Sequence, residues 1–247
     1  ILQGVPRKIL QQLTSLDLDR SKARYSSNWT DCTNLRYLSL SNLYELDMSQ
    51  LCPSWISKCL ELTHLDLSGT LVMTEDLDAL IPLINLRVLK LRFCEGMQRV
   101  SFPSNLKLPE LLELDVSQQY GSINHFRGYE CYSLFPKLQI LSLMYCMVEY
   151  QHAESLQYFT CLEQLYMSGS VKVTVSTLNA LSKLKNLKIL ELSFDKSVLS
   201  KDVDLHQLFP NLDPDCAAIL LNQLRKREKR RRESGDTNDK RGTKRRK

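Results

Sequence analysis

Leu62-Thr63-His64-Leu65-Asp66-Leu67 decides how this chain is read. Leucine stands at the first, fourth and sixth places. Period-two alternation puts Leu65 and Leu67 on one face of a short strand, while His64 and Asp66 face the other way. The same Leu-x-x-Leu-x-Leu pattern starts at Leu13, Leu35, Leu62, Leu86, Leu111, Leu138, Leu162 and Leu187, at intervals of 22, 27, 24, 25, 27, 24 and 25 residues. Val116 and Met167 replace the last leucine in two of the eight units and keep that place apolar. Chance supplies one or two such matches; eight in register mark an internal repeat. Leucine fills 47 of the 247 positions while Gly and Pro contribute 8 each, which excludes collagen-like and low-complexity chains.

A unit of this length cannot bury its apolar face alone, so the units must stack, with parallel strands on a concave side and helices or turns on the convex side. At about 4.8 Å between strands, eight strands span roughly 35 Å. Between strands, Thr74-Glu75-Asp76-Leu77 followed by Ala79, Leu80, Ile81 and Leu83 predicts a short helix, with Thr74 as its cap and acids in its first turn. Leu208-Phe209-Pro210-Asn211-Leu212 repeats Leu134-Phe135-Pro136-Lys137-Leu138 and opens a ninth unit. Asp213-Pro214-Asp215 then replaces the strand with a helix start, Asp213 capping and Pro214 in the first helical place. Ala217, Leu220, Leu221 and Leu224 follow at helical spacing, a stripe able to cover the last repeat. The expected organisation is a solenoid of about eight repeats over 1–212, a C-terminal capping helix over 213–232 and a flexible basic tail over 233–247. Val5, Ile9 and Leu10 read as the end of a preceding unit, so the array is expected to begin before Ile1.

Over about residues 5–224 these motifs resemble the leucine-rich repeat family, which implies an α/β solenoid with a curved, parallel concave sheet. Cys94 and Cys146 stand in the ninth place of their units, where that family carries Asn or Cys to hydrogen-bond backbone between neighbouring turns. Thr70, Ser170 and Asp195 share the column and Ser21 fits it less closely, while Leu43 and Gln119 depart from it. The cysteine-bearing form is similar to intracellular cysteine-containing, F-box-associated repeats. That resemblance implies a substrate-recognition subunit of a cullin-type ubiquitin ligase, in which the repeats hold the substrate and a separate upstream module, not in this chain, docks the ligase components. The competing expectation is a nuclear scaffold or adaptor in an RNA-processing or chromatin complex.

Several function classes find no anchor. No apolar run approaches the roughly 18 residues of a membrane span. The eight cysteines form no close cluster of the kind used by secreted caps or zinc sites and read as reduced thiols. Asn28-Trp29-Thr30 is a glycosylation triplet that arises often by chance. No Gly-x-Ser-x-Gly, phosphate loop, His-Glu-x-x-His or Cys-x-x-Cys occurs, so no enzyme is expected. The acid pairs Asp17/Asp19, Asp202/Asp204 and Asp213/Asp215 have structural readings on a strand face, in a loop and at a helix cap, so neither a metal nor another cofactor is expected.

What remains is binding. The third, fifth and seventh places of each unit face solvent on the concave side, and these include Asp17, Asp19, Tyr37, His64, Asp66, Lys90, Arg92, Glu113, Asp115, Met144, Tyr166 and Glu191, with serines such as Ser39, Ser41 and Ser117 between them. Acids with scattered aromatic and apolar anchors suit a protein or peptide partner and repel a duplex. Residues 225–247 carry 13 Lys or Arg against 4 Asp or Glu, whereas residues 1–224 carry 20 against 24. Arg225-Lys226-Arg227 and Lys229 to Arg232, including Arg231 and Arg232, precede Lys244-Arg245-Arg246-Lys247 by an eleven-residue linker, a spacing that resembles a bipartite nuclear import signal. An import receptor is the expected partner of this tail, with weak nonspecific nucleic-acid contact as its second use. The expected localisation is nuclear, shared with the cytoplasm.

Overall fold

The computed structural model describes residues 2, 4–22, 27–46, 48–97, 99–100, 102–118, 122–123, 129–146, 150–170, 172–194 and 204–233. In chain order the strands are β1 Ser15–Asp17, β2 Tyr37–Ser39, β3 His64–Asp66, β4 Val88–Lys90, β5 Arg99–Val100, β6 Glu113–Asp115, β7 Ser122–Ile123, β8 Ile140–Ser142, β9 Gln164–Tyr166, β10 Lys172–Val173, β11 Ile189–Glu191 and β12 Ser193–Phe194. One parallel sheet runs β1-β2-β3-β4-β6-β8-β9-β11, and β5/β7 and β10/β12 form small parallel pairs. Each long-sheet strand is the centre of one Leu-x-x-Leu-x-Leu unit.

The fourth-place residues face one another throughout: Leu16, Leu38, Leu65, Leu89, Leu114, Leu141, Leu165 and Leu190 are successive register partners. Spacings of 22 to 27 residues therefore never shift the sheet. The convex segments absorb the difference, because their termini are pinned by core contacts on both sides. Burial follows four places of the unit. First, fourth and sixth places are buried along almost the whole array. A further column three residues before the first leucine is also buried: Leu10, Cys32, Cys59, Leu83, Leu108, Phe135, Phe159, Leu184 and Phe209. Aromatic pairs fill the core beyond the sheet, with Trp29 and Trp55 at 5.4 Å and Phe102 edge-on to Phe135 at 5.1 Å.

The convex elements are short. They comprise helices α1 Arg7–Leu10, α2 Met48–Ser54, α3 Tyr129–Leu134, α4 Tyr150–Ser155, α5 Val175–Leu181 and α6 Leu205–Leu208, together with 3-10 turns such as Thr74–Leu80. The expected short helix at Thr74–Leu80 is a 3-10 helix, and its expected cap is corrected: Met73, not Thr74, holds the cap place, its backbone N–H donating to Asp76 Oδ2 at 2.8 Å. Asp76, the third residue of the turn, thus reaches back to the amide at its head, as in a capping box. In α5, by contrast, Thr174 is the cap and accepts from the Thr177 N–H at 3.2 Å.

The last described element is α7, Pro214–Glu233, where 213–232 was expected. Asp213 Oδ1 accepts from the N–H groups of Asp215 (3.0 Å) and Cys216 (3.1 Å), as a helix cap must. Ala217 and Leu220 are buried. The outer edge of β11 is satisfied from this segment: Asp213 N–H donates to the Lys188 carbonyl at 2.8 Å, and Cys216 Sγ bonds both the carbonyl (3.2 Å) and the N–H (3.3 Å) of Leu190. Exposed ladder groups at a sheet edge invite foreign pairing, and here the chain covers its own. Among the described residues no helix is long and apolar enough to cross a membrane.

Candidate binding face

The sheet register arranges the concave side chains in three rows. The fifth-place row reads Asp17, Ser39, Asp66, Lys90, Asp115, Ser142, Tyr166, Glu191, and the third-place row includes Tyr37, His64 and Glu113. Asp19, Arg92 and Met144 stand in the seventh-place row, just beyond β1, β4 and β8. All twelve sequence-predicted residues thus lie on one face, but their surroundings differ along it.

Lys90 and Arg92 are not an isolated basic spot. Lys90 Nζ lies 3.3 Å from Glu113 Oε1, and Arg92 Nε lies 3.6 Å from Asp115 Oδ2, so the cations of unit four are paired with unit five. At the β1–β3 end Tyr37 remains 39% exposed and packs against His64 with ring centroids 6.1 Å apart. Partial burial, with Asp17 and Asp66 close by, pushes the Tyr37 phenol above its ordinary pKa. Toward the other end Tyr166 donates to Gln164 Oε1 at 2.9 Å, and burial first, then Glu191, raises its pKa as well.

Several concave polar groups serve the fold. Asp17, Asp66 and Asp115 each accept, through Oδ1, the N–H two residues on, at 3.0, 2.9 and 3.0 Å. These side chains turn the backbone out of the strand and keep their second oxygens for other use. Ser39, Ser41 and Ser117, expected to face solvent, are buried. Ser68 and Ser117 accept the Arg92 and Met144 N–H groups of the next unit, both at 3.2 Å, and the Ser117 and Ser142 hydroxyls meet at 2.7 Å. Their small side chains tie neighbouring turns together, which removes them from water.

The structure adds a row that the leucine pattern does not announce. The eighth place of units one to seven is left-handed throughout: Arg20 (φ 50°), Asn42 (60°), Gly69 (65°), Phe93 (53°), Gln118 (60°), Tyr145 (54°) and Gly169 (76°). For a residue with a β-carbon this costs roughly 1–2 kcal/mol. One further ladder bond holds it in place. The eighth-place N–H donates to the seventh-place carbonyl of the next unit six times running, from Arg20 to Ser41 (3.1 Å) through Tyr145 to Ser168 (3.0 Å). Gly69 and Gly169, with Asn42, are the residues of this row whose types favour such a conformation. The row forms the rim of the face at the strand ends, where a groove of about 500 Å³ runs from Asp19 and Arg20 past Asn42, Tyr44 and Phe93 to Gln118.

The ninth-place column bonds as its residue types require. Thr70 Oγ1 donates to the Leu67 carbonyl at 2.7 Å, Cys94 Sγ donates to the same carbonyl at 3.4 Å from the next unit, and Cys146 Sγ donates to the Val116 carbonyl at 3.0 Å. Ser170 bonds the Leu143 carbonyl and accepts from the Cys146 N–H. Gln119 and Asp195 lie outside the described residues, and Leu43 is buried in the column as an apolar plug. Burial pushes the Cys59 and Cys94 thiols up to about 12. On the opposite rim, asparagines just before the first leucine form a second ladder, with Asn34, Asn85, Asn186 and Asn211 Nδ2 donating to the carbonyls of Gln11, Leu60, Thr160 and Lys185 at 2.7 to 3.1 Å. In the same row Lys137 pairs with Glu110 at 2.6 Å, and its hydrogen bond holds that carboxyl below its ordinary pKa.

Among the described residues no three His, Cys, Asp or Glu side chains gather as a metal site. Arg231 and Arg232 lie in the last turn of α7, while Lys244, Arg245, Arg246 and Lys247 lie outside the described residues.

Eight parallel three-residue strands, one per leucine repeat, define a leucine-rich repeat solenoid, and comparison with solved structures agrees. Internalin C2 from Listeria monocytogenes superposes with a TM-score of 0.59 at 19% identity, over 84% of this chain and 82% of that one. The leucine-rich repeat domain of the type III effector XCV3220 (XopL) gives 0.50 at 16% identity, over 85% and 80%. The plant peptide hormone receptor RGFR1, solved in complex with RGF2, gives 0.50 at 17% identity over 74% of this chain and 32% of the receptor chain. No family model matches the sequence, and no curated protein does.

Proposed function

We propose that this chain is a non-enzymatic protein-recognition module whose partner seats on the concave sheet. The observation that carries the reading is the division of labour within each unit: fourth and sixth places fill the core, while third, fifth and seventh places align across eight strands as a continuous face. Tyr37, His64 and Tyr166 supply aromatic surface there, amid charges that set orientation. RGFR1 is a peptide receptor of the same fold, which supports a polypeptide ligand. In this reading α7 closes the end of the array.

The test begins with crosslinking of the full chain in its own cells, followed by titration of each purified partner. Charge reversal of Lys90 and Arg92 to Glu, and the pair Tyr37→Ala with Tyr166→Ala, should each weaken a concave partner at least tenfold with unchanged circular dichroism. Normal binding by both folded variants refutes the concave reading.

Within that module, the thiols of Cys94 and Cys146 bonding the preceding turn favour the cysteine-containing repeat type and, with it, a substrate receptor of a cullin-type ubiquitin ligase. Stoichiometric co-purification of a cullin core is the expected result, and its absence from a stable complex counts against it. The second reading, a nuclear adaptor, draws on the 13 cationic residues of 225–247. Deleting that segment should move the protein to the cytoplasm and leave partner affinity unchanged; equal nuclear levels with and without it remove the import role.

A further inference from the structure

The charge pattern of the concave face specifies the partner more closely, and we infer that its β1–β3 end receives a basic, extended segment of a partner protein, with a lysine or arginine side chain lying over Tyr37 between Asp17 and Asp66. This rests on the concave reading above and adds the chemistry of the ligand.

Asp17, Ser39 and Asp66 are register partners on consecutive strands, so the two carboxylates stand about two strand spacings, or ~10 Å, apart. Ser39 between them is buried and leaves the gap open at its level. Each carboxylate spends Oδ1 on a backbone N–H. Among the described residues neither has a Lys or Arg partner, whereas the cations of the face, Lys90 and Arg92, are held by Glu113 and Asp115. The three rows carry six carboxylates against those two cations, and at this end, where Arg20 on the rim lies 3.8 Å from Asp19 Oδ2, Asp17 and Asp66 are left without a cation among the described residues. Tyr37 supplies an exposed ring beside the gap, steadied by His64 at 6.1 Å. A cation over such a ring, between two carboxylates, meets both attractions at once.

An extended segment fits the continuation of the site. From β1 to the unit of β6 the rim groove crosses four strand spacings, about 19 Å, the length of about six extended residues. Its lining alternates acids with the side chains of Arg20, Lys90 and Arg92 and presents the rings of Tyr44 and Phe93, so it offers polar and stacking contacts beyond the anchoring cation.

The probes are fluorescein-labelled octapeptides with blocked termini, alternating Gly with Arg, Leu or Glu, titrated into the full chain by anisotropy at physiological salt. The Arg peptide should bind and the Leu and Glu peptides should not. Asp17→Asn with Asp66→Asn keeps an acceptor for each backbone N–H and should weaken the Arg peptide at least tenfold, and Tyr37→Ala severalfold. Glu75→Gln with Asp78→Asn, exposed on the convex side, should change nothing. Equal losses from both acid pairs mean diffuse attraction and overturn the inference, as does preference for the Leu or Glu peptide. A chain lacking 234–247 that binds the Arg peptide tenfold tighter assigns the strip to the protein's own tail and overturns the partner assignment. If an identified partner tolerates the Asp17/Asp66 pair but is lost on Tyr166→Ala, the inference fails and the concave reading stands; indifference to every concave variant sinks both.

Discussion

Gly169→Ala tests the left-handed rim at its tightest point. Gly169 has φ +76°, where an alanine pays about 1 kcal/mol or slightly more. Its missing β-carbon also leaves the space occupied by the Tyr145 ring of the preceding unit. A β-carbon there overlaps ring atoms and comes within 3.1 Å of Tyr145 Cγ, at the root of the ring, so spinning the ring about its own axis does not clear it. Overpacking of this kind costs about 1–3 kcal/mol. The single substitution should therefore destabilise by about 2–4 kcal/mol. Tyr145→Gly removes the ring and relaxes a second left-handed residue (φ 54°), and because that ring is 59% exposed, the loss of its contacts is largely offset. In that background Gly169→Ala should cost only about 1 kcal/mol, leaving a coupling of about 1–3 kcal/mol in the double-mutant cycle. Urea unfolding followed by circular dichroism gives the four midpoints, with equal m-values as the condition for comparing them. Equal costs in the two backgrounds would show that the ring and the glycine do not share this space and would refute the argument.

Leu114→Ala empties the fully buried fourth place at the middle of the stack and should cost about 3–5 kcal/mol in the same assay, whereas a loss under about 1 kcal/mol would deny that the core runs unbroken through unit five. Asn85→Ala and Asn186→Ala each remove one rung of the exposed asparagine ladder and should cost about 0.5–1.5 kcal/mol, additively, since several units lie between them. Cys59 and Cys94 are raised from 9.0 to about 12, so folding keeps both thiols protonated. Their contribution is complete below pH 9 and is lost as pH climbs toward 12, at up to about 1.4 kcal/mol per pH unit for each thiol. The Cys59→Ala, Cys94→Ala variant should show a shallower alkaline decline, and at pH 8 both thiols should resist a disulfide reagent until urea unfolds the chain.

Much of the architecture was legible because leucine spacing is itself the physical cause. Leu65 and Leu67 alternate with His64 and Asp66 since a strand has two faces, and the eight starts give the strand count and neighbours. The rim was not legible. Its left-handed turn is imposed by a backbone bond to the next unit, so Arg20, Phe93 and Tyr145 occupy it without any residue type that advertises such a conformation. The asparagine ladder was missed for the opposite reason: an Asn before a leucine is common, and only the stack shows that its amide reaches a carbonyl one turn back. Twelve residues of the face were placed from the alternation alone, but the pairing of Lys90 and Arg92 with Glu113 and Asp115 depends on rotamers that spacing does not convey. Thr74 misled because it has the chemistry of a cap one residue away from where the cap falls.

The ladder bonds of all eight strands lie along the axis on which the units stack. A pull applied between the two ends therefore loads each interface as a zipper, with few bonds strained at any instant, rather than in shear, with all of them sharing the load. Each opened interface frees one unit, and its roughly 25 residues lengthen by ~80–90 Å when drawn out. The molecule should yield to tension as a series of small, nearly equal steps, beginning where the fewest neighbouring turns are tied, and should take them back in reverse when the load is eased.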